Sequence, residues 1–191
     1  MKSTSPLFLV ICFALTSSCT YSGWTEIETQ SFTLKVPPEW KYLRYEGPVI
    51  DAFQGDIITS SSDTLGVIFS LGTESLSDDG RKQIVVPERV REKLLKEGAD
   101  MSRFVFVPTD KDVPTMQEKL VTQKFEEKRI NGVKAKVVIP KQVGKGVTGA
   151  HFRGIKLQGS ETAYEFTIVG KDLGTADHEA LLKIIETVKF K

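Results

Sequence analysis

The most chemically suggestive residue in this sequence is a cysteine standing directly behind an apolar leader. Cys19 follows the unbroken apolar run Leu7–Leu15 and the small residues Thr16, Ser17 and Ser18, and Lys2 stands ahead of the run. One positive charge, a short apolar stretch and small residues at a cut site make up the order of an export signal. The run falls short of the roughly 20 residues a helix needs to cross a hydrocarbon core. Cleavage after Ser18 by a secretory peptidase would free the chain. Cleavage there by a lipoprotein peptidase would follow acylation of the Cys19 sulfur. Cysteine usage favours the second route. The chain has two cysteines, and Cys12 leaves with the leader. A lone cysteine in an oxidising compartment needs a partner or a modification. A thioether-linked lipid answers that need; a free thiol and an intermolecular disulfide are the alternatives. Residues 1–18 are therefore expected to be a signal peptide, residues 19–23 the lipidated cysteine and its tether, and residues 24–191 a single domain without an intrachain disulfide.

Other chemistry-bearing residues are sparse. The two histidines, His151 and His178, have no partner at metal-ligand spacing, and no CxxC or HExxH is present. Both are expected to be structural. Gly144-Lys145-Gly146-Val147-Thr148-Gly149 matches G-x-G-x-x-G. A dinucleotide site also needs a helix to open at the last glycine, whereas residues 150–157 read as a strand. The motif is expected to be a glycine loop between strands. Asp51, Asp56, Asp63, Asp78 and Asp79 form the densest carboxylate region, but their spacing matches no calcium loop. Ser75–Gly80 reads as a solvated turn. No catalytic residue, cofactor or metal is expected. Trp24, Trp40, Tyr42, Tyr45 and Phe53 gather in the N-terminal third. They suit a sheet core and its edge, or a recognition surface. The candidate ligand or partner surface is Trp40, Tyr42, Tyr45, Asp51 and Asp56.

Charge excludes one class of partner. The chain holds 26 basic and 25 acidic residues, and Lys2 belongs to the leader, so the remainder is balanced. Basic residues alternate with acids, as in Lys124–Arg129, so no cationic face for nucleic acid is expected.

The elements that must position these residues read mostly as strands. Phe32, Leu34 and Val36 alternate with Thr33 and Lys35 until Pro37-Pro38 stops the run. Further strands are expected at 39–43, 49–58 and 65–71, with a turn at 60–63. Pro87–Glu97 reads as a helix closed by Gly98, Arg103–Val107 as a short strand and Thr109–Pro114 as a loop. Lys119–Ile139 reads as a hairpin turning at Asn131-Gly132. Strands follow at 147–157 and 163–169. Ala180, Leu181, Ile184, Ile185 and Val188 then make the stripe of a helix that packs on a sheet, with Thr175 as its N-cap. The order predicts an α+β fold, an antiparallel sheet flanked by helices.

Two stretches carry a family resemblance. Phe32-Thr33-Leu34-Lys35-Val36-Pro37-Pro38-Glu39-Trp40 is similar to the F-x-L-x-x-P-x-x-W opening of PsbP-like domains. Val147–Phe152, Val169–Leu173 and Ile184–Phe190 look like the closing half of small PsbP-like bacterial lipoproteins. Leu15-Thr16-Ser17-Ser18-Cys19 resembles the bacterial lipobox, with Thr16 where Leu is usual. The resemblance implies a PsbP-like α/β/α sandwich. The family includes an extrinsic subunit of the photosynthetic water-oxidising complex, a Ran-binding import factor and many bacterial lipoproteins of unknown role, with no shared catalytic motif. Residues 83–117 are longer than its pattern needs. The combined expectation is a lipid-anchored accessory or interaction protein of the cell envelope without catalytic activity. The alternative is an anchored small-ligand or ion-binding module. Its expected partners are the membrane, through the anchor, and an envelope protein. The domain is expected to be monomeric, on the outer membrane and facing the periplasm.

Overall fold

The computed structural model describes residues 23–45, 53–73, 75–77 and 80–191. The leader with Cys19, and Asp51, Asp78 and Asp79, lie outside the described residues.

Strand β1 (Thr25–Glu28) pairs antiparallel with β2 (Phe32–Val36). Phe32, Leu34 and Val36 of β2 are buried and Thr33 and Lys35 half-buried, the alternation expected of a strand with one face on the core. After Pro37-Pro38 the chain enters a second sheet through β3 (Lys41–Arg44), β4 (Phe53–Ile58) and β5 (Thr64–Ser70). The hairpin β8–β9 runs over Gln123–Ile130 and Val133–Pro140, and β10 (Val147–Lys156) and β11 (Ala163–Lys171) complete this sheet. Asn131 and Gly132 both take positive φ, 48° and 86°, as the Asn-Gly turn requires. The seven strands lie in the order β3-β4-β5-β11-β10-β9-β8, and every neighbouring pair is antiparallel.

Helix α3 (Thr175–Thr187) packs against β2, β10 and β11, and β12 (Lys189–Phe190) adds to β2 in the small sheet β1-β2-β12. The stripe falls as expected: Leu181, Ile184, Ile185 and Val188 are buried. The N-cap is Gly174 rather than Thr175, and no side chain caps the helix. Asp177 is buried instead and accepts a hydrogen bond from the Ser61 hydroxyl, which ties the β4–β5 turn to the first turn of α3. The core between the large sheet and α3 centres on Phe166. Its ring lies 4.8 Å from Phe32, 5.7 Å from Phe152 and 5.6 Å from Phe190. Phe32, Phe152 and Phe166 have no exposed surface. Each such side chain contributes roughly 1.5–3 kcal/mol by leaving water.

The middle of the chain has the expected helix and short strand, and departs from the sequence reading at Thr109–Pro114. β6 (Ile84–Pro87) and β7 (Phe104–Val107) pair in parallel, joined by a 3₁₀ turn at Glu88–Val90 and helix α1 (Arg91–Lys96). A parallel pair requires such a crossover. Thr109–Pro114 is not a loop. Thr109 and Asp112 form a capping box, a 3₁₀ turn follows, and Pro114 sits in the first turn of α2 (Val113–Leu120). Proline is tolerated there because that N–H has no helical partner. The elements of this excursion pack chiefly on one another, around buried Val85 and Val107. The whole is a mixed, mostly antiparallel α+β fold.

Candidate functional site

The aromatic and acidic residues singled out by sequence do not form one surface. Trp40 is core, with 6% of its surface exposed. Tyr42 shares that side of the sheet: its ring stacks on Phe53 at 6.0 Å. It also lies over Gly55, where an added Cβ would stand 2.7 Å from the Tyr42 hydroxyl and 2.6 Å from the Leu43 carbonyl oxygen. That hydroxyl is the buried side-chain polar atom without a hydrogen bond among the described residues, and burial pushes its pKa up to about 12. Leu43 pairs with Asp56 across the β3–β4 ladder, so alternation puts Asp56 and Tyr45 on the opposite face. There exposed Tyr45 donates to the Asp56 carboxylate, and that bond raises the Tyr45 phenol above its usual range. The two pairs therefore lie on opposite faces of the sheet.

The histidines are committed to hydroxyls. His151 is buried in β10, with Nδ1 3.0 Å from both Thr73 Oγ1 and Thr167 Oγ1. Its Nε2 lies 3.9 Å from Glu165 Oε2, which accepts the Thr73 backbone N–H at 2.7 Å. Burial holds the His151 pKa below the ordinary imidazole value, against the pull of Glu165. His178 Nδ1 lies 2.7 Å from Thr148 Oγ1. Among the described residues no three metal-ligating side chains converge.

Around the glycine motif the chain makes a turn and then a strand. Gly144 and Gly146 take positive φ, and β10 begins at Val147. The Gly146 N–H donates to Asp172 Oδ1 at 2.6 Å, and the Asp172 N–H donates back to the Gly146 carbonyl at 2.7 Å. Gly149 lies within the sheet, where a Cβ would stand 2.5 Å from the Ile168 carbonyl oxygen. Close strand approach therefore accounts for this last glycine. In the described part of Ser75–Gly80, Ser75 and Ser77 are exposed and the Gly80 N–H donates to Ser77 Oγ at 3.0 Å, as a solvated turn requires, while Ser77 O accepts from buried Gln123 Nε2 at 2.5 Å and Leu76 O accepts from Lys136 Nζ.

What the fold does assemble is a groove at the neck of the excursion. The chain leaves the large sheet past Gly80 and returns at Thr122, whose hydroxyl donates to the Gly80 carbonyl at 3.2 Å. Between this neck and the ends of β9, β10 and β11 lies an open groove of about 780 Å³. Small-molecule sites usually enclose about 300–1,000 Å³. Its floor is apolar: Leu76, Leu120, Val121, Val147 and Val169 line it, each half-buried. Its rim is cationic, with Arg81, Lys82, Lys141, Lys145 and Lys171 against one described acid, Asp172. Asp172 is engaged by Gly146, and Lys171 Nζ stays 3.9 Å from it. Lys82, Lys141 and Lys145 form no ion pair with any described residue. Sequence reasoning missed this site. A signal was present, since residues 128–160 hold eight basic residues and no acid, but the charge balance of the whole chain concealed it.

Compared with known proteins, the chain matches no family model, no curated protein and no solved structure. Among the described residues no helix is long and apolar enough to cross a membrane.

Proposed function

We propose that this is a lipid-anchored accessory protein of the cell envelope whose work is recognition rather than catalysis, and that the neck groove is its binding site for a small anionic ligand. The observation that carries the binding role is the rim: Lys82, Lys141 and Lys145 form no ion pair with a described residue, and the described rim carboxylate, Asp172, is already engaged. Cations converging on a partly desolvated surface favour an anion more than they would in open water. The non-catalytic reading is supported by His151 and His178, both hydrogen-bonded to threonine hydroxyls in the interior. The anchor rests on the leader and Cys19. A PsbP-like arrangement is supported by the placement of the opening motif, since Phe32, Leu34 and Trp40 are all core residues. The outer-membrane, periplasm-facing location and the monomeric state belong to the same proposal.

Two experiments test it. Metabolic labelling with a lipid precursor should tag wild type and not Cys19→Ala; equal labelling would remove the anchor. Lysine acetylation footprinting should show Lys82, Lys141 and Lys145 protected in intact envelopes relative to extensively washed protein. Equal reactivity in both states would remove the groove ligand.

A further inference from the structure

We infer that the ligand of the neck groove is a single-chain anionic amphiphile, a long-chain carboxylate with its head at the lysine rim and its tail along the floor. The inference deepens the anion-binding reading and rests on it. The floor is apolar. Leu76, Leu120, Val121, Val147 and Val169 come from four separate segments, and the fold leaves all five partly exposed in one place. A small polar anion held at the rim would leave that apolar surface wet, whereas a hydrocarbon tail covers it. The rim cations are mostly lysines. Lys82 comes from the neck and Lys141 and Lys145 from the segment between β9 and β10; all three line the groove and are exposed. Ammonium groups on flexible stems act as adaptable point charges, which suits one carboxylate at the mouth of an open groove. Polyphosphate sites converge main-chain N–H groups on the ligand. Here the Gly146 N–H is taken by Asp172, so the glycine turn offers no such cradle at that position. Side-chain charge and apolar contact remain, and together they describe an amphiphile.

The test uses the full lipid-anchored protein in nanodiscs of neutral phosphatidylcholine, with a hexadecanoate bearing a diazirine near its tail end. Crosslinked peptides are mapped by mass spectrometry. The competitors are unlabelled hexadecanoate, hexadecanol and citrate. Crosslinks are expected on the segments around Val121 and Val147. Hexadecanoate should abolish them, while hexadecanol and citrate should not. The Lys141→Glu, Lys145→Glu double variant should lose them while keeping the wild-type melting curve, because both lysines are exposed. Competition by citrate equal to that by hexadecanoate would overturn the amphiphile and leave the anion site standing. Competition by hexadecanol together with unchanged labelling of the double variant would overturn both. Labelling spread evenly over the protein would overturn the amphiphile.

Discussion

The Tyr42→Phe substitution tests whether the Tyr42 hydroxyl is buried without a hydrogen-bond partner. The Tyr42 ring stacks on Phe53, and its backbone pairs with Ile57 in the β3–β4 ladder. Phenylalanine keeps both contacts. What it removes is a hydroxyl that has left water and found no partner among the described residues. Such a group costs about 1–3 kcal/mol; because Tyr42 is only half-buried, a gain of about 1 kcal/mol is expected for the variant. A second readout follows from the phenol pKa, raised by burial to about 12 in the folded chain. The unfolded chain releases that proton near pH 10. Between these values the folded state holds a proton that the unfolded state has lost. The contribution of Tyr42 to stability is thus whole below about pH 10 and is lost as pH rises towards about 12. Urea unfolding followed by circular dichroism, at neutral pH and again at about pH 11, measures both effects. Tyr42→Phe should be more stable at neutral pH and should show a shallower alkaline loss than wild type. A destabilisation beyond about 0.5 kcal/mol, or an unchanged alkaline slope, would show that the hydroxyl is satisfied in the folded protein and refute the reasoning.

Three further outcomes follow from the geometry. Gly149→Ala should lose about 1–3 kcal/mol in urea unfolding, because its Cβ meets the Ile168 carbonyl oxygen and the β11 backbone has no room to retreat; a neutral result would contradict the close approach of β10 and β11. Leu181→Asp should abolish cooperative thermal unfolding, since it places an unpaired charge where wild type has no exposed surface; retention of a wild-type melting curve would contradict the packing of α3. His151 should make folding acid-sensitive. Its pKa is lowered by burial, so below about pH 6.5 the unfolded chain takes up a proton that the folded chain refuses, and stability falls on acidification. His151→Gln should flatten that limb, and identical acid slopes in the two proteins would refute it.

Where local pattern dictates structure, the sequence was legible. The alternation of Phe32, Leu34 and Val36, the Asn131-Gly132 turn and the stripe ending at Val188 each became the element their spacing implies. Errors arose where two signals competed. The acids and proline of Thr109–Pro114 suggested a loop, yet the same residues are a capping box and a first-turn proline. Trp40, Tyr42, Tyr45 and Asp56 are neighbours in sequence or across one hairpin, but the two-residue period of β3 sends them to opposite faces. The groove was hidden for a different reason. It forms only when the neck at Gly80 and Thr122 is brought against the ends of β9, β10 and β11; the acid-free basic stretch 128–160 marks one side of it, but which segment faces that stretch is set by long-range placement.

Native mass spectrometry of the membrane-extracted protein bears most directly on the claim that the neck groove recognises an anion. Wild type should carry a small ligand that is released on activation and detected as an anion. The Lys141→Glu, Lys145→Glu variant, extracted from the same envelopes and equally folded, should carry none. A wild-type protein bare of any such mass, or the same ligand retained in both proteins, would contradict the account.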